Sequence, residues 1–126
     1  MSRLKIISLT VLITFYLAAG LNHFRDPDSY IKIIPFYFSY PGKLNLAAGF
    51  FELLFGLLVI FRNTRKVAAW GIVFMLIAFL PVHLTMVRDA PMRMGRILVT
   101  PAIAWIRLII LQPLLILWAW WYTNEK

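Results

Sequence analysis

The chain contains no cysteine. That absence removes disulfides, thiolate chemistry and any Cys-ligated metal or iron–sulfur centre. It says little about compartment, because a membrane domain needs no disulfide staple. Acidic residues are scarce too: five Asp and Glu stand against thirteen Lys and Arg, and there are only two histidines. Charged residues of both signs make up 14% of the 126 residues. A soluble domain of this length has far more polar surface to cover. Too few residues remain outside the apolar segments to build a soluble module.

What the chain has in abundance is apolar surface. Hydrophobic residues make up 62% of it, and its mean hydropathy is +0.80. They come in long blocks rather than in alternating or amphipathic patterns, as membrane spans do. The formal charge of +8 does not argue for a nucleic-acid partner. Twelve of the thirteen Lys and Arg residues sit between the apolar blocks or at their ends, where they would face lipid headgroups.

Four blocks can be drawn, at about residues 4–24, 42–61, 67–87 and 101–122. Each has about 20 residues, enough to cross a hydrocarbon core of roughly 30 Å. Pro27 in FRDPDSY stops the first, RNTRK follows the second, and RDAPMRMGR follows the third. Thr100-Pro101 opens the fourth as N-cap and first helical residue, and LWAWWY closes it with an interfacial aromatic belt. MSRLK, an apolar run and AAG together imitate a cleaved signal peptide, but the run is long for one and reads as an integral span. The expectation is an all-α membrane protein: one domain over residues 1–126, folded as a four-transmembrane-helix bundle.

DPDSYIKIIPFYFSYPGK joins the first two blocks and is too short and too interrupted by Pro35 and Pro41 to span. Its Tyr30, Phe36, Tyr37, Phe38 and Tyr40 suit a segment lying in the interface and capping the bundle mouth. An ordinary aromatic-rich loop fits as well. Four spans put both termini on one side. That side holds Arg3, Lys5, Arg62, Arg65, Lys66 and Lys126; the other holds Arg25, Lys32, Lys43, Arg88, Arg93 and Arg96. The positive-inside rule is therefore tied, and only the amino terminus and the RNTRK turn tip the reading towards cytoplasmic termini.

The polar residues inside the blocks are more informative. Glu52 lies roughly 15 Å into the second helix and Arg107 roughly 9 Å into the fourth, counted from the same side. Asn22 and His23 end the first helix on that side, Asn45 begins the second, and His83 lies near the end of the third. Polar residues of four helices thus gather in one leaflet. Asn45, Ala48, Gly49, Glu52 and Gly56 follow helical spacing, and so do Tyr16, Ala19, Gly20 and His23. Such small-and-polar stripes face other helices in membranes. A charge at mid-membrane costs roughly 2.5–3.5 kcal/mol even on lenient insertion scales. Glu52 and Arg107 are therefore expected to form a buried ion pair, extended by His23, Asn22 or His83. The pair would either fix helix register or line a pocket for a polar head or proton; snorkelling of each charge to its own interface is the remaining reading. The histidines lack metal-ligand spacing, Glu52 has no second carboxylate close in sequence, and no metal site is expected. Gln112-Pro113 suggests a kink.

The segments AGLNHFRDPDSYIKIIP, PGKLNLAAGFFELLFGLLVIFRNTRKVAAW, FLPVHLTM and IRLIILQP, in that order, resemble the DoxX-like family of small four-helix membrane proteins. The specific elements are NHF-x-x-P-x-x-Y after the first helix, the stripe around Glu52, and R-x-x-x-x-Q-P in the fourth helix. Asn22, His23, Pro27, Glu52, Pro81, Arg107 and Gln112 match the family's characteristic positions. The resemblance implies a bacterial inner membrane and an association with redox enzymes, including a quinol-oxidising complex, so a quinone is the one cofactor it suggests. A distant animal branch acts as a membrane-embedded chaperone. Lacking cysteine, this chain departs from thiol-redox relatives.

Three functions follow from sequence and resemblance. One is a non-catalytic accessory protein, a small subunit or chaperone contacting a membrane-protein partner or a second copy of itself. The second is intramembrane binding of a lipophilic ligand such as a quinone, sterol-like molecule or lipid. The third and weakest is movement of a small solute or proton. No nucleophile–base pair or cofactor motif argues for an enzyme. A cavity beside Glu52 and Arg107 would favour the ligand; a filled interior would favour the accessory protein.

Overall fold

The computed structural model describes residues 1–124; Lys126, counted above among the basic residues of the terminal side, lies outside them. Helix α1 (Arg3–Arg25) starts at Ser2, whose side chain accepts from Lys5 N at 3.2 Å. It ends where Pro27 begins the short helix α2 (Pro27–Ile31). Helix α3 (Pro41–Leu58) is entered through Tyr40 in the left-handed region, with φ 60°. Helices α4 (Arg62–Ala78) and α5 (Leu80–Asp89) follow one another through a break at Phe79. Pro81 explains the break, since it has no N–H to bond the Ile77 carbonyl.

A hairpin comes next, β1 (Met92–Met94) antiparallel to β2 (Ile97–Val99), with Gly95 at φ 61° in the turn. Helix α6 (Pro101–Ile106) is capped by the Thr100 hydroxyl, which accepts from Ile103 N. A single π-helical stretch, Arg107–Leu111, joins it to α7 (Gln112–Trp121), and the described chain ends in a 3₁₀ turn at Tyr122–Asn124.

Three helical stretches are long and apolar enough to cross a membrane: Arg3–Arg25, Arg62–Asp89 and Pro101–Asn124. Two boundaries differ from the sequence expectation. The third sequence block begins at Arg62 rather than near residue 67, because RNTRK forms the first turn of α4 instead of a loop. The second block forms α3, which is 18 residues long and stops at Leu58. It carries Lys43, Asn45 and Glu52, which lower its hydropathy.

Helices α1 and α3 pack antiparallel, with Asn45 against His23, Gly49 against Gly20, and Gly56 against Tyr16 and Leu17. The contact is backbone-close. A Cβ on Gly49 would lie 2.8 Å from His23 Cβ, and one on Gly20 would lie 3.0 Å from the Gly49 carbonyl oxygen. The small-residue stripes therefore face each other, as close helix approach requires. Helices α4 and α7 make the second pair.

The main core, built around Leu12, Tyr16, Val59, Ile72, Leu76 and Tyr122, fills the end of the bundle nearest the amino terminus. There Trp118 Nε1 and Tyr122 OH both donate to Ser8 Oγ, at 2.8 and 2.7 Å, tying the last helix to the first. A smaller cluster of Ile33, Met86, Val99 and Ala104 closes the other end. Leu4, Ile7, Val11, Val67, Ile109 and Leu117 are among many large apolar side chains pointing outward.

Candidate functional site

Between the two cores lies a cavity of about 1370 Å³, partly open, walled by α1, α3, α4, α5, the Pro101–Asn124 stretch and the caps formed by α2 and the hairpin. It exceeds the roughly 300–1000 Å³ of ordinary ligand pockets. Asn22, His23, Asn45, Glu52, His83 and Arg107 all line it. Of the expected polar cluster only Gln112 stands behind the wall, fully buried.

The expected Glu52–Arg107 ion pair is not formed. Glu52 instead meets His23, with Oε2 3.1 Å from Nε2. The glycine contacts explain this choice, because they bring α1 so close to α3 that His23 reaches Glu52 first. His23 is held from behind by Asn45. The Asn45 amide donates to the His23 carbonyl oxygen at 2.9 Å, leaving Asn45 Oδ1 to face His23 Nδ1 at 2.7 Å. An amide oxygen can only accept, so Nδ1 carries a hydrogen.

Arg107 turns to its own helix and donates from Nη1 to Gln112 Oε1 at 2.6 Å. Residues five apart lie about 140° apart around an α-helix. The π turn, marked by the bond from Gln112 N to the Arg107 carbonyl oxygen, places one above the other. Pro113 sits just beyond, and the expected kink is thus realised as a π turn. Gln112 Nε2 donates in turn to the Leu76 carbonyl oxygen at the end of α4. That anchors the arginine to the α4–α7 seam.

Several buried polar atoms facing this space have no hydrogen-bond partner: Tyr16 OH, Glu52 Oε2 and His83 Nδ1. Of these, Glu52 Oε2 has His23 Nε2 beside it at 3.1 Å, whereas Tyr16 OH and His83 Nδ1 have no such neighbour. Tyr16 and His83 both lie within electrostatic reach of Arg107. Orphaned polar atoms beside an open volume are unusual in a packed interior. Among the described residues no three His, Asp or Glu side chains converge as a metal site would need.

The motif NHF-x-x-P-x-x-Y acquires a physical meaning here. Pro27 starts α2 and turns the chain back, so that Tyr30 stacks on His23 with ring centroids 3.9 Å apart. Asn22 Nδ2 donates to Tyr30 OH at 2.6 Å, and Asn22 Oδ1 accepts from Arg25 Nε. Burial raises the Tyr30 phenol above its ordinary value, with the Asn22 bond opposing the shift. Of the aromatic segment, Tyr30 and Phe38 reach the cavity, whereas Phe36, Tyr37 and Tyr40 point outward.

The rest of the cap is the hairpin. It was unforeseen because MRMGRILV shows no clean alternation of apolar and polar residues. Gly95 packs so near Asp26 that a Cβ there would lie 3.1 Å from its Oδ2, and Asp26 also accepts from Ser29 Oγ at 2.6 Å. Lys32 Nζ donates to the Arg93 carbonyl oxygen, joining α2's end to the hairpin. Tyr16 is the other missed site residue. Its place on the α1 stripe is legible in the sequence, but a tyrosine there reads equally as packing, so its hydroxyl carries no signal of the charges it meets.

No curated protein and no solved structure matches the chain. One family model does, that of a domain of unknown function, DUF8561, over residues 12–123. The match spans every residue of the cavity's polar cluster and nearly the whole bundle: the chain belongs to the DUF8561 family.

Proposed function

We propose that this is an integral membrane protein that binds a lipophilic molecule by its polar head, in the cavity between α1, α3, α4, α5 and the Pro101–Asn124 stretch. The observation that carries this reading is the cavity itself, among whose lining residues Tyr16 OH and His83 Nδ1 have no hydrogen-bond partner. In this reading α3 is the fourth span. At about 27 Å it is long enough to cross with modest mismatch, and His23 meets its one deep charge. The bundle is then of the four-helix DoxX-like kind, with both termini on one face of the membrane.

The accessory-protein reading has less support, since it asks for a filled interior. The outward apolar side chains suit lipid as well as a partner. Transport is weaker again, because the core nearest the amino terminus closes the bundle. Solvent extraction of the purified protein, followed by mass spectrometry of the extract, tests the proposal. A single lipophile near one per chain in wild type, depleted in Ala48→Phe, supports it, because Ala48 lines the cavity. The same lipid mixture in both samples contradicts it.

A further inference from the structure

The charges around the cavity do not balance, and the imbalance narrows the chemistry of what binds there. With Asn45 fixing the hydrogen on His23 Nδ1, a neutral imidazole presents a lone pair at Nε2. Glu52 Oε2 stands 3.1 Å from that atom. A bare carboxylate would set lone pair against lone pair, so a proton lies between them. Whether it resides on nitrogen or oxygen, the His23–Glu52 pair carries no net charge. Glu52 is therefore spent on His23 and does not neutralise Arg107.

The remaining charged groups lining the space are Arg25, Arg96, Arg107 and Asp26. Three guanidinium groups face one carboxylate, an excess of two positive charges. Arg25 and Arg96 are exposed at the mouth, where water and counterions serve them. Arg107 is deeper and half-buried, and its sole hydrogen bond among the described residues goes to the neutral amide of Gln112. The other guanidinium N–H groups are left to donate. His83, 7% exposed, adds an unpartnered Nδ1 within electrostatic reach of Arg107. Aromatic side chains including Phe15, Phe51, Phe55 and Phe74 make much of the remaining wall.

We propose that the occupant is an acyl-chain amphiphile with an anionic head, a carboxylate or phosphate monoester, seated against Arg107 and His83 with its tail along the phenylalanine wall. This rests on the ligand-binding reading above and adds the sign of the head. Charge-assisted hydrogen bonds to a fixed guanidinium are the strong ones, so an anion gains there what a neutral head cannot.

The test is titration of the full chain in a non-ionic detergent, read by native mass spectrometry, with oleate, oleoyl lysophosphatidate and oleyl alcohol as probes. The two anions should form one-to-one adducts at least tenfold more tightly than the alcohol, equivalent to about 1.4 kcal/mol. The ratio between them then tells carboxylate from phosphate. Arg107→Gln should erase the preference, so that oleate and oleyl alcohol bind alike. His83→Leu should reduce it independently, which covers the case in which the arginine variant fails to fold. Equal binding of oleyl alcohol and oleate, or a preference unmoved in both variants, overturns the anionic head but leaves a lipophile site standing. No adduct with any probe overturns both.

Discussion

His23 Nε2 and Glu52 Oε2 meet at 3.1 Å across the α1–α3 seam, and that contact decides how the other intramembrane charges are disposed. It predicts coupling between His23 and Glu52 and near-independence of Glu52 and Arg107. His23→Leu should destabilise by about 3–5 kcal/mol, as breaking one side of a buried pair does. Glu52→Gln should cost only about 1 kcal/mol, because the amide can donate to neutral His23. The double change His23→Leu with Glu52→Leu should recover part of the loss, whereas Glu52→Gln and Arg107→Met should add within about 0.5 kcal/mol. Unfolding in mixed micelles measures both cycles. Strong coupling between Glu52 and Arg107 would contradict the arrangement.

Asn45 is 2% exposed and serves His23 twice. Asn45→Leu keeps the size but orphans the imidazole N–H and the carbonyl, and should cost about 1–3 kcal/mol. The same unfolding measurement checks it; an unchanged midpoint would mean that His23 is not held from α3.

Glycine positions on α3 should behave oppositely. Gly49→Ala meets His23 Cβ at 2.8 Å and the Gly20 carbonyl at 3.1 Å, so α1 and α3 must part, at about 1–3 kcal/mol. Gly42→Ala meets nothing within 4 Å on the same helix and should be neutral or stabilising by up to about 1 kcal/mol. Thermal midpoints of the two variants side by side would show it, and equal behaviour would argue against the close seam.

Gln112 joins Arg107 to the Leu76 carbonyl and has no exposure of its own. Gln112→Leu should destabilise by about 1–3 kcal/mol and free the arginine head. Limited proteolysis or hydrogen exchange around residues 105–113 should then increase, and an unchanged exchange pattern would contradict the anchoring role.

Much of this site was legible in the sequence. Helical spacing put Gly20, Gly49 and Glu52 on inward stripes, and depth counting put Glu52, Arg107, His23 and His83 in one half of the bundle. Pairing was not legible, because it depends on two local geometries that depth does not report. The glycine seam draws His23 to Glu52, and the π turn before Pro113 draws Arg107 to Gln112. The hairpin cap was hidden for a different reason: its register comes from the Gly95 turn and the packing of α2, not from a periodic pattern.

The most direct measurement on the central claim is native mass spectrometry of the protein drawn from its membrane in a mild non-ionic detergent, wild type beside Ala48→Phe. A discrete adduct of one mass on wild type, absent from a folded Ala48→Phe, is the predicted result. A bare chain in both, or an identical ladder of bulk lipids on each, would contradict a ligand in the cavity.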